Sequence, residues 1–97
     1  MTMEFDKLVH QPTRLQIFAF LYRHGTAEFT TVAESLDLTE GNLSSHLQTM
    51  EDAGAIRVEK EFVDRKPRST YELTEQGKKL FEEHIELLET LIDGLDG

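Results

Sequence analysis

Hydrophobic spacing changes twice along the chain. In "PTRLQIFAFLYRHG", Leu15, Phe18, Leu21 and Tyr22 recur at helical intervals, with Pro12 suited to the first helical position and Gly25 to the stop. This predicts a buried helix. "EFT" at 28–30 is strand-like but too short to stand alone, and Thr31 with Glu34 has capping-box spacing ahead of Val32, Ala33 and Leu36. A second helix of about two turns is expected there. "LDLTEG" reads as a polar turn, and from Thr39 a third helix sets Leu43, Leu47 and Met50 on one stripe before ending at Gly54.

After Gly54 the period becomes alternating. Ile56, Val58 and Phe62 fall on one side of "AIRVEKEF", and Tyr71 and Leu73 on one side of "STYEL", which predicts a hairpin. The intervening loop "VDRKPR" is basic and holds Pro67, which cannot donate to a ladder and belongs near the tip. From Thr74 helical spacing returns, with Leu80, Phe81, Ile85, Leu88, Leu91, Ile92 and Leu95 forming a stripe too wide for a lone surface helix.

The predicted order is α-β-α-α-β-β-α, mainly α with a small β-hairpin (α+β). Two short helices joined by a tight turn, then a basic hairpin, describe a winged helix-turn-helix. With 97 residues the chain is expected to form a single domain, 1–97. Within it the recognition helix would span about 39–53, the wing about 56–73 and a C-terminal dimerisation helix about 74–95.

Charge makes this picture less simple. The chain has 19 acids against 10 lysines and arginines, a net charge of −9, which at face value opposes nucleic acid. The charge is unevenly placed, however. Five of the ten bases fall between Arg57 and Arg68, and such local patches set the field that a polyanion meets. There is no cysteine, so neither a disulfide framework nor a thiolate metal site is possible, and no apolar run is long enough for membrane insertion. A cytoplasmic protein is the expectation.

The segments "PTRLQIFAFL", "LTEGNLSSHLQTMEDAGAI" and "YELTEQG" together resemble the small winged-helix transcriptional regulators of the MarR and ArsR type, over roughly residues 8–83. The resemblance implies a homodimer that binds double-stranded DNA and regulates transcription.

Geometry gives the polar residues of the third helix a matching role. At about 100° per residue, Gly41, Ser45, Gln48 and Asp52 lie opposite Leu43, Leu47 and Met50, with Asn42 and Thr49 beside them and Ser44 and His46 flanking. Asn and Gln suit base edges in the major groove, and Gly41 and Ser45 add little bulk to a close approach. Thr39 as N-cap leaves backbone donors for a phosphate. Lys60, Arg65, Lys66 and Arg68 of the wing are placed to meet the backbone or minor groove, whereas Glu40 and Asp52 would oppose phosphates. The alternative is a winged-helix module that binds protein partners, which the net acidity favours.

His10, His24, His46 and His84 are scattered, and no two share a helical turn. Glu83, His84 and Glu86 could ligate a metal across a dimer seam, but a histidine on the helix surface is the simpler reading. No metal and no cofactor is expected, and the sequence shows no effector site. No nucleophile motif, phosphate loop or apolar carboxylate pair suggests an enzyme. Met1, Met3, Phe5, Leu8 and Val9 precede the core, and the stripe from Leu80 to Leu95 follows it, more apolar surface than one small domain covers. Phe5, Leu8, Phe81, Ile85, Leu88, Leu91, Ile92 and Leu95 are therefore expected at a homodimer interface.

Overall fold

Pro12 separates the first long helix from a shorter one that the spacing does not predict. In the computed structural model, which describes residues 5–95, α1 spans Lys7–His10 and α2 spans Pro12–His24. The residue before a proline is driven from the helical region, and Gln11 is extended there with φ −66° and ψ 127°. Its side chain then caps α2 by accepting from the Arg14 N–H at 2.7 Å. Four residues make no stable helix alone. α1 is fixed by Asp6, which accepts from the Leu8 N–H, by burial of Val9, and by Arg14, whose Nε donates to the Leu8 carbonyl at 2.8 Å. Met1 and Met3 lie outside the described residues.

The buried face of α2 is Ile17, Phe18 and Leu21, with Gly25 closing the helix at φ +82°. Tyr22 is not a core residue. It is 44% exposed, and its hydroxyl donates to Glu82 at 2.6 Å, so its ring lies across the rim of the core, 5.1 Å from the Phe81 ring.

The strand expected at 28–30 lies two residues earlier. β1 is Thr26–Glu28, and it persists because it pairs antiparallel with β3 (Lys66–Leu73), Thr26 opposite Glu72 and Glu28 opposite Thr70. α3 then begins at Phe29 and runs to Ser35, without the Thr31–Glu34 capping box; Glu28 stands at its N-cap with no side-chain bond. An entry directly from the strand lets Phe29 pack toward Tyr71 and Val32 reach the core. A Schellman motif ends α3, with Asp37 at φ +53° and the Leu38 N–H bonded to the Ala33 carbonyl.

α4 spans Glu40–Asp52, with Thr39 as N-cap and Leu43, Leu47 and Met50 buried, as the spacing predicts. It also ends in a Schellman motif, at Gly54, φ +77°.

β2 (Ile56–Val63) and β3 pair farther toward the tip of the hairpin than expected. The loop shrinks to Asp64 and Arg65, both at positive φ as a type I′ turn requires. Pro67 thus lies inside β3, opposite Phe62. It is tolerated there because β1 reaches only Thr70 to Glu72, leaving β3 a neighbour on one side at Pro67. The sheet order is β1-β3-β2.

α5 runs Glu75–Leu95. Its start explains "LTEQG": Thr74 Oγ1 accepts from the Gly77 N–H and donates to the Gly54 carbonyl at 2.6 Å, tying α5 to the exit of α4. Gly77 lies against the Ala55 backbone so closely that a Cβ there would come within 2.0 Å of its carbonyl oxygen. Farther along, the Phe81 ring lies parallel to that of Phe18 at 6.3 Å.

Candidate nucleic-acid interface

The face of α4 opposite its buried stripe is open. Gly41, Asn42, Ser44, Ser45, Gln48 and Thr49 are all exposed, and Thr39 holds the first turn by accepting from the Asn42 N–H. Exposure here follows the helical period because one side of α4 is fixed in the core. Two polar groups are occupied within the helix. Gln48 Nε2 donates to Asp52 Oδ1 at 2.9 Å, and the Thr49 hydroxyl donates to the Ser45 carbonyl at 3.1 Å. Asp52 therefore engages the very amide that suits a base edge.

His46 is turned away from this group. It is half-buried toward α2, with Nδ1 3.3 Å from Arg14 Nη1. Burial, then the Arg14 charge, hold its pKa below the ordinary histidine value. Arg14 is not legible in the sequence as a site residue, since nothing in the spacing brings residue 14 beside residue 46. It also donates from Nη2 to the Lys7 carbonyl, so one guanidinium links α1, α2 and α4.

The wing's cations do not form one patch. The register puts Lys60 on the strand face shared by Val58 and Phe62, and Lys66 and Arg68 on the opposite face with Glu59 and Glu61. Arg65 occupies the turn. Arg68 Nη1 approaches Glu28 Oε1 at 3.6 Å with both side chains partly exposed, a weak pair. Among the described residues Lys60, Arg65 and Lys66 form no ion pair.

The residues expected at a dimer interface divide by depth. Phe81 is buried in the core of its own chain, and Phe5, Leu8, Ile85 and Leu88 are half-buried. Leu91, Ile92 and Leu95 are exposed on the last turns of α5, Leu95 by 80%. His84 is not the surface histidine that the sequence suggests. It is 3% exposed and faces inward, whereas Glu83 and Glu86 point to solvent, so the three cannot converge on a metal. No group of three or more metal-ligating side chains occurs among the described residues. Among them, too, no helix is long and apolar enough to cross a membrane.

A three-stranded sheet with a projecting hairpin, set beside two helices joined by a tight turn, is the winged-helix arrangement. The model of the winged helix DNA-binding domain matches residues 13–92. The chain belongs to this family. Its winged helix is shared by a transcriptional regulator homologue protein from Pyrococcus horikoshii OT3, 37% identical, with a TM-score of 0.86 over 93% of this chain and 89% of that one. The uncharacterized protein MJ0432 of Methanocaldococcus jannaschii is 31% identical over 79 residues, or 81% of this chain and 86% of its own. A MarR-family transcriptional regulator from Enterococcus faecalis V583 has the same fold, with a TM-score of 0.80 at 24% identity over 98% of this chain and 94% of that one. The winged-helix fold of these structures extends over nearly the whole chain.

Proposed function

We propose that this winged-helix protein is a transcriptional regulator that binds double-stranded DNA as a two-fold homodimer, the whole chain acting as one domain in the cytoplasm. In this reading α4 enters the major groove. Asn42, Ser45, Gln48 and Thr49 face base edges there, while Thr39 and Ser44 lie nearer the backbone, and Lys60, Arg65, Lys66 and Arg68 meet phosphates or the minor groove. The carrying observation is the exposed face of α4, small, hydrogen-bonding and free of lysine, with Gly41 leaving room for close approach. Few solvated helices are built that way, because long charged side chains would serve solubility better. His46 acts indirectly in this reading, through Arg14, and holds α4 against α2. The dimer would form through the exposed end of α5 together with Leu8 and Phe5.

The net charge of −9 supports a second reading, a winged helix that binds a protein partner. Electrophoretic mobility of DNA from upstream of the protein's own gene, measured across salt concentrations, separates the two. Affinity that falls steeply with salt and exceeds that for random duplex supports the DNA reading. Absence of binding at low salt would favour the partner reading.

A further inference from the structure

The wing ends in an aromatic residue that the fold does not use. Phe62 is 79% exposed, and Pro67, opposite it in the register, is exposed as well. Side chains of directly opposed residues share a face. That face therefore runs from Ile56 and Leu73 in the core, through the half-buried Val58 and Tyr71, then Lys60 and Ser69, to Phe62 and Pro67 at the end. It carries no carboxylate. The three strand acids, Glu59, Glu61 and Glu72, all fall on the opposite face. The outer part of the hairpin thus shows a ring and a pyrrolidine beside Lys60, with Arg65 in the adjoining turn.

We infer that Phe62, backed by Pro67, is an apolar wedge that enters the minor groove of DNA, lying against the sugars or parting a base step, while Lys60 and Arg65 hold the flanking phosphates. The inference rests on the DNA-binding reading and adds a contact that the basic residues cannot supply. Apolar side chains inserted from protein loops unstack steps and bend the duplex, most easily at pyrimidine–purine steps. The charge pattern selects this occupant. An apolar strand face without acids, set between Lys60 and Arg65 with Asp64 in the turn as the one carboxylate beside it, suits a polyanion whose groove walls are apolar sugar edges, and the type I′ turn keeps the tip narrow.

The test compares wild-type protein with Phe62→Ala, Phe62→Leu and Arg65→Ala. Each is titrated onto end-labelled duplexes from upstream of its own gene and of random sequence, with affinity, salt slope and bend read by energy transfer. Phe62→Ala is expected to weaken binding by about tenfold or more, in line with loss of an aromatic contact, to reduce the bend, and to leave the salt slope unchanged. Phe62→Leu should restore much of the bend. Arg65→Ala should lower the salt slope. Unchanged affinity and bend in Phe62→Ala would overturn the wedge while DNA binding by the wild type stands, as would an altered salt slope. A changed sedimentation mass in Phe62→Ala would assign the ring to a contact between copies and overturn it equally. Failure of the wild type to bind any duplex would remove the DNA reading and the wedge together. Because Phe62 packs little within the chain, the variants should keep their thermal midpoint.

Discussion

His10 Nδ1 and His84 Nε2 lie 3.3 Å apart, joining α1 to α5 though 74 residues separate them in sequence. Phe5 stacks on His10 with ring centroids 4.4 Å apart and meets His84 edge-on. His84 Nδ1 is buried without a partner among the described residues. The tautomer that leaves only an acceptor unpaired, not an N–H, has His84 Nε2–H donating to His10 Nδ1. A proton added at His84 Nδ1 would then leave a buried N–H without a partner.

That pair predicts a loss of stability in mild acid. Burial, then His10, lower the His84 pKa below the ordinary 6.5, and Asp6 at the α1 N-cap opposes them only in part. A depressed histidine pKa means that the fold favours the neutral ring. Stability is therefore full above the ordinary value and is lost as the pH falls from there through the lowered folded value. His46, also lowered, contributes with the same sign. The thermal midpoint should drop between pH 7.5 and 5.5, and His84→Leu should flatten that drop while leaving the share of His46. An equal drop in the variant would remove His84 from the account.

Two glycines should respond oppositely to alanine. At Gly77 the new Cβ would meet the Ala55 carbonyl, backbone that cannot swing aside, so Gly77→Ala should cost about 1–3 kcal/mol or more by overpacking. Gly41 lies in α4 with nothing within 4 Å, and Gly41→Ala should stabilise by about 0.4–1 kcal/mol through the unfolded chain. Denaturant midpoints measure both. If α4 approaches a groove closely, Gly41→Ala should also weaken DNA binding despite the added stability.

These contacts mark where the sequence is readable. Leu43, Leu47 and Met50 repeat on a helical period, and that repeat sets which side of α4 is exposed, so the polar face follows from spacing alone. α1 does not follow, and β1 follows in kind but not in its bounds. Four residues held by Arg14 and three held by β3 owe their structure to partners distant in the chain, which no local pattern encodes. The basic cluster of the wing is plain in the sequence, but its division between two faces depends on register. Register in turn depends on two residues adopting positive φ in a turn that lacks glycine. The meeting of His10 with His84 has no sequence signal at all.

The exposed end of α5 predicts the assembly. Leu91, Ile92 and Leu95 extend past the residues that pack on α2, and a second copy can cover them. Sedimentation equilibrium at micromolar concentration should give a dimer mass, with a thermal midpoint that rises with concentration. Placing aspartate at both Leu91 and Ile92 should yield a folded monomer. Phe81→Ala should instead destabilise the chain itself by about 3–5 kcal/mol, since that ring belongs to the core. A monomeric wild type would exclude the dimer.

Wing and helix should divide the work of binding in a way that salt reveals. Arg65 has no ion pair among the described residues, so replacing it with alanine should weaken binding to every sequence alike. The slope of log affinity against log salt should fall by up to roughly two units in a dimer, at about 0.9 per phosphate contact. Arg68→Ala should change the slope less, because Glu28 already holds part of its charge at 3.6 Å. Ser45→Ala and Gln48→Ala should leave the slope alone and cost about 1–3 kcal/mol per good base contact on the preferred site, with far less effect on random duplex. Asp52→Asn makes the sharpest case. It removes a negative charge facing phosphates and weakens the grip of that side chain on Gln48, so affinity should rise on all sequences. Should Asp52→Asn bind no better, or should the helix substitutions act equally on preferred and random DNA, α4 is not reading bases, and a protein partner becomes the better account of its polar face.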